Sequence, residues 1–107
     1  MNNLYFYLQL LLNRMEIEDF PFTRLIIEKQ LTEKEYEDLM SFLEQLNEQY
    51  EEQKEEGFLH FESLLLHFVG MLNQKLEPLE TIRALKKEGY YPSLMDVFLY
   101  QHHHYFS

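Results

Sequence analysis

Residues 32–57 read TEKEYEDLMSFLEQLNEQYEEQKEEG, and this stretch decides the fold class. Tyr36, Leu39, Leu43, Leu46 and Tyr50 recur at alternating steps of three and four, which keeps all five on one face of a 3.6-residue repeat. Thr32 followed by Glu35 is a capping box: the hydroxyl is available to an amide of the first turn, and the carboxylate can reach back to the Thr32 amide. Glu33 and Glu35 suit the positive end of the helix dipole, whereas Glu51, Glu52, Glu55 and Glu56 crowd the negative end. A helix over 33–56 follows, with a last turn expected to fray before Gly57 supplies a left-handed stop. The apolar stripe must be covered by other helices, either within the chain or between chains. Gln53 occupies the next core position, so the seam is little more than two heptads long and predicts a globular bundle in preference to a rod.

Outward from this helix the same logic gives five more. Leu4, Leu8, Leu11 and Met15 stand at steps of four, three and four, and Tyr5, Phe6, Tyr7, Leu10 and Leu12 make the first helix apolar almost all the way round. Such a helix is either central in a bundle or gripped at a subunit interface. Pro21 opens a short second helix to Lys29. Phe61, Leu64, Leu65, Phe68, Val69, Leu72 and Leu76 predict a fourth helix with Gly70 inside it. An interior glycine costs about 1 kcal/mol relative to alanine, so close approach of a neighbouring helix at Gly70 is the expected compensation. Pro78 opens a fifth helix, closed by Gly89 after Lys86 and Lys87, and Pro92 opens a sixth carrying Leu94, Met95, Phe98 and Leu99. Two Val, four Ile and no extended alternation leave no case for a sheet. The expectation is an all-α, compact multihelical bundle of about six helices, with some helices packed between subunits, forming one domain over residues 1–107.

The net charge of −10 is unevenly distributed. Between Glu16 and Glu56 stand fourteen acidic residues and four basic ones, while the rest of the chain is balanced at five of each. An anionic surface repels phosphate backbones, which argues against nucleic-acid binding. The last two helices have a helix-turn-helix outline around Gly89, yet residues 92–100 carry Asp96 and no Lys or Arg. The acidic face therefore reads as a solvated helix surface or as a docking face for a basic protein partner. With no Cys there is no disulfide framework or thiolate zinc site, which fits a reducing cytoplasm. The apolar run 4–12 is too short to span a bilayer and lacks the charged start and small-residue cleavage site of a signal peptide. A cytoplasmic protein with no membrane partner is expected.

Chemical signals are few. The triplet His102, His103, His104 and the pair His60 and His67 are candidate ligands for a divalent metal, and His102 and His103 head that reading. Consecutive helical residues point about 100° apart, however, and helical metal pairs use i and i+4 spacing. An ordinary exposed terminus is the simpler reading of the triplet. Glu62 and His67 are five apart, not the three of a carboxylate-bridged di-metal bundle. No HExxH, EF-hand or P-loop pattern occurs, and none of Ser41, Ser63 and Ser93 stands in a G-x-S-x-G elbow. No cofactor or catalytic residue is predicted.

The order Pro21-Phe22, Gly57-Phe58, Phe61, Leu64-Leu65, Phe68, Gly70, Leu72-Asn73, Lys75-Leu76, Glu80-Thr81-Ile82, Ala84-Leu85, Gly89, Leu94-Met95 and Val97-Phe98 resembles the YhaI-like family of small uncharacterised proteins from Bacillus and its relatives. The resemblance implies an all-α fold whose subunits associate, and it brings no activity, cofactor or catalytic residue. Function therefore reads as a homo-oligomeric helical interaction or regulatory module, dimeric or trimeric, with an acidic outer face. A histidine-dependent metal-binding protein is the alternative, and a small-molecule-binding protein or enzyme comes third. The expected self-association surface comprises Leu4, Tyr5, Tyr7, Leu8, Leu11 and Met15 of the first helix with Tyr36, Leu39, Leu43, Leu46 and Tyr50 of the third.

Overall fold

The computed structural model describes residues 3–14 and 19–106, with side chains through residue 104. Among the described residues six helices follow one another: α1 (Leu4–Arg14), α2 (Pro21–Glu28), α3 (Glu33–Glu55), α4 (Glu62–Met71), α5 (Pro78–Glu88) and α6 (Pro92–Phe106). No strand occurs among the described residues. This is the all-α multihelical bundle that the apolar spacing predicts.

Their ends follow from local chemistry. In the capping box of α3, the Glu35 amide donates to Thr32 Oγ1 at 3.1 Å and the Thr32 amide donates to Glu35 Oε1 at 2.9 Å. At its other end Gly57 takes φ 90°, so that Phe58 N reaches Gln53 O at 2.9 Å and Gly57 N reaches Lys54 O at 3.1 Å. This paired bonding satisfies carbonyls that would otherwise be orphaned, and it holds the last turn helical through Glu55 where acidic crowding suggested fraying. Gly89 closes α5 in the same way, with Tyr90 N to Leu85 O at 2.8 Å. At the end of α2 the left-handed position falls to Gln30, φ 57°, although a residue with a Cβ pays about 1–2 kcal/mol there.

Two expectations are corrected in the fourth helix. It ends at Met71, because Leu72 turns extended at ψ 139°, and Leu76 enters the core from the turn that follows. Gly70 therefore lies near a helix end, where a Cβ would meet nothing within 4 Å, so no neighbouring helix approaches its backbone. The sixth helix likewise continues past Tyr100 through the histidine triplet to Phe106.

Helices α2 to α6 share one core. Phe22, Leu43, Leu46, Leu65, Phe68, Ile82, Leu85, Leu94, Met95 and Phe98 are all essentially inaccessible within it, and burial of each such side chain stabilises the fold by about 1.5–3 kcal/mol. Phe68 and Phe98 bring α4 onto α6 with ring centroids 5.3 Å apart. Tyr50 packs edge-on against Phe61 at 5.0 Å and hydrogen-bonds Ser93 at 2.9 Å, joining α3 to the starts of α4 and α6.

Polar groups at the helix ends are matched within this body. Glu88 at the C-terminal end of α5 accepts the amides of Phe22 and Thr23, both at 2.9 Å, and the Thr23 hydroxyl at 2.7 Å. It caps α2 from another helix and sets α2 antiparallel to α5. Gln101 of α6 is 6% exposed, and its side-chain carbonyl accepts from Phe61 N at 3.0 Å and Glu62 N at 3.1 Å, capping α4. Among the described residues no buried side-chain polar atom lacks a partner.

Helix α1 stands apart. Only Leu12 is buried on it, outside the shared core, where Arg24 Nη1 donates to the Leu12 carbonyl. The molecule is accordingly long, at 55 × 25 × 23 Å, with a radius of gyration of 15.5 Å against about 13 Å for a compact domain of this size.

Candidate functional site

The most conspicuous surface is the one α1 presents. Leu4, Tyr5, Phe6, Tyr7, Leu8, Leu10 and Leu11 are each between 36% and 61% exposed on an eleven-residue helix without an acidic residue. A contiguous apolar patch beyond a few hundred Å² marks an interaction surface, and single exposed leucines do not. Phe6 and Tyr7 lean on each other with centroids 5.9 Å apart, which leaves most of both rings uncovered. The structure thus brings five of the six interface candidates of the first helix onto one exposed element, and Met15 lies outside the described residues.

The candidates on α3 have a different placement. Leu39, Leu43, Leu46 and Tyr50 are buried in the chain's own core, and Tyr36 is half-buried beside Phe22 at 6.5 Å. Of the two ways to cover that stripe, the fold uses the one within the chain. The opposite face of α3 is exposed and carries Glu37, Glu44, Glu48, Glu52 and Glu55.

The histidines are spread, with His60 and His104 bordering one hollow and the others outside it. His60 precedes α4 and is exposed, with Nδ1 3.6 Å from Glu62 Oε1, whereas His67 lies within α4 with its ring edge-on to Phe42 at 5.0 Å. His104 stacks flat on Tyr100 at 6.2 Å, and His102 and His103 occupy neighbouring positions along α6. Among the described residues no three His, Cys, Asp or Glu side chains are grouped to hold a metal ion, so the geometry does not favour the metal alternative. No helix among them is long and apolar enough to cross a membrane.

Displaced proton affinities point to architecture. Glu35 is lowered from 4.5 to about 2, first by the ammonium of Lys75 at 2.6 Å, then by the Thr32 amide and by Asn73 Nδ2 at 2.9 Å. Lys75 also donates to the Gln30 carbonyl at 3.1 Å. These bonds tie the segment between α4 and α5 to the start of α3 and the end of α2. Burial pushes the Tyr90 hydroxyl up, with Tyr36 and Glu88 adding to the effect. Perturbed groups often mark reaction sites; these two are accounted for by packing and capping.

Surface hollows remain among the described residues. One, about 570 Å³, is the groove between α2 and α5, lined by the apolar Pro21, Leu25, Leu79 and Ala84, the basic Arg24, Lys29, Arg83 and Lys87, and the acidic Glu28, Glu77 and Glu80. A second, about 390 Å³, lies where Leu59 and His60 face Tyr100 and His104, and a third of about 300 Å³ lies beside Phe42 and Met71. Sequence reading missed the first groove, because it forms only when α2 and α5 meet across more than fifty residues of chain. The one local signal was Arg83 and Lys87, four apart on α5 and hence on one side of it. The family model described as "Protein of unknown function (DUF1878)" matches residues 1–102, and the chain belongs to that family.

Proposed function

We propose that this protein is a homo-oligomeric helical interaction module, rather than an enzyme, in which α1 of one copy pairs with α1 of another. The observation that carries the reading is the run of seven exposed large apolar side chains on α1, a helix that buries only Leu12 against its own chain. Bringing two such helices together removes on both copies the apolar surface that water disfavours, and a twofold pairing needs no second kind of surface. A lipid surface suits α1 poorly: the helix has no Lys or Arg until Arg14, and the net charge of −10 opposes anionic headgroups. In such an assembly the acidic outer face of α3 stays exposed as a docking face for a basic protein partner. A cytoplasmic location and the YhaI-like grouping within Bacillus and its relatives belong to the same proposal, supported by the lack of Cys and by the apolar motif order.

The test is molar mass by light scattering after size exclusion, for the wild type and for Leu8→Glu with Leu11→Glu. The wild type should elute at two or three times 13.2 kDa, and the variant at one, with an unchanged far-ultraviolet spectrum. A wild type that stays monomeric across the concentration series sinks the proposal.

A further inference from the structure

We infer that the groove between α2 and α5 is a docking site for an acidic amphipathic helix of a partner protein. In a chain with 19 acidic side chains and nine Lys or Arg, cations find carboxylates easily. Arg24, Lys34, Lys54, Lys75 and Lys86 each do so, at 2.6–3.4 Å. Among the described residues Arg14, Lys29, Arg83 and Lys87 have no carboxylate partner, and three of these four line this one groove. Of the three acids along it, Glu28 is neutralised by Arg24 at 2.6 Å, and Glu77 keeps its charge while accepting the Glu80 amide at 2.6 Å, so three free cations face two carboxylates. Glu80 is the third, and it favours a partner whose acids lie toward the Lys87 end.

Shape selects a helix. The groove follows α5, whose eleven residues span roughly 16 Å at 1.5 Å per residue, and it is open along one side. A trough of about three turns lined by apolar and charged side chains matches helix-in-groove recognition. Arg83 and Lys87, one turn apart, match carboxylates at i and i+4 on the incoming helix. A second copy of this chain is a poor occupant, since the outer face of its α3 offers Glu37, Ser41, Glu44 and Glu48 with no apolar side chain between them. A nucleic-acid strand meets Glu80 and finds no aromatic side chain in the groove on which a base can stack.

The probe is a fluorescent, end-capped helical peptide with Glu at i and i+4 on one edge, Leu on the adjoining face and Ala elsewhere, read by anisotropy and by amide chemical shifts. Wild-type protein should bind it saturably, more weakly as salt rises, with shifts at Leu25, Leu79 and Ala84. A counterpart peptide with Lys for Glu should bind about tenfold more weakly or not at all. Arg83→Glu with Lys87→Glu should lose about tenfold in affinity for the Glu peptide and gain for the Lys peptide. Lys29→Glu, at a separate exposed position, should weaken the Glu peptide on its own. The α1 variant Leu8→Glu with Leu11→Glu should bind as wild type does, which separates this site from self-association. Four results would overturn the inference: no saturable binding, equal binding of both peptides, shifts confined to α1, or groove shifts on concentrating the protein alone. Saturable binding of an oligonucleotide in place of the peptide would overturn it as well.

Discussion

Glu35 shows how much one side chain does here. It closes the capping box of α3, accepts Lys75 and Asn73 from the segment before α5, and is held at about 2 instead of 4.5 by those bonds. A carboxyl depressed in the folded state adds stability above its unfolded value of 4.5, and that contribution is lost as pH falls through 4.5 toward 2. Glu35→Gln keeps a side-chain acceptor for the Thr32 amide and gives up the charge. The wild type should therefore have the higher urea midpoint at pH 7, and the gap should narrow steadily as pH drops from about 5 to 3. A gap independent of pH would remove the ion pair from the account. Sequence alone made half of this residue legible. Thr32 lies three positions away and is read from local pattern; Asn73 and Lys75 lie 38 and 40 positions away and become neighbours only through packing.

At the scale of elements, punctuation residues were the legible part. Pro21, Pro78 and Pro92 each stand at the first position of a helix, and Gly57 and Gly89 stand in left-handed stops, because backbone freedom and a missing donor act locally. Where those signals misled, tertiary contacts or a competing residue decided the outcome. Gln30 ends α2 in a conformation that glycine would adopt more cheaply, and α4 stops at Met71 although apolar spacing runs on to Leu76. Helix α2 has eight residues, is too short to be stable alone, and relies on Glu88 for its first amides. Glu88→Ala should cost about 0.5–2 kcal/mol in urea unfolding, the range for loss of a helix cap. Hydrogen exchange should rise first at the amides of Phe22 and Thr23. Uniform loss of protection, with no emphasis on α2, would contradict the capping role.

The whole molecule divides into a five-helix body and one helix that the body hardly covers. Removal of residues 1–14 should leave α2 to α6 folded, with a loss no larger than about 3 kcal/mol, the value of one buried leucine. Urea titration below the concentration at which the full chain associates checks this; loss of cooperative unfolding would put α1 in the core. That α1 is apolar was plain from its letters, but whether a neighbour in the same chain covers it depends on where α2 to α6 place their own faces. The groove between α2 and α5 was hidden for the same reason, since a concave surface belongs to two helices and to neither alone. The clamp of Glu88 on α2 spans 66 residues, and it bears on how the protein is made. Ribosomes extend chains at about 5–20 residues per second, so α2 waits several seconds after emergence for the residue that completes it. Throughout that interval α1, synthesised before α2, trails outside the exit tunnel with its leucines and tyrosines bare. The helix with the most exposed apolar surface thus waits longer for cover than any of the five helices made after it.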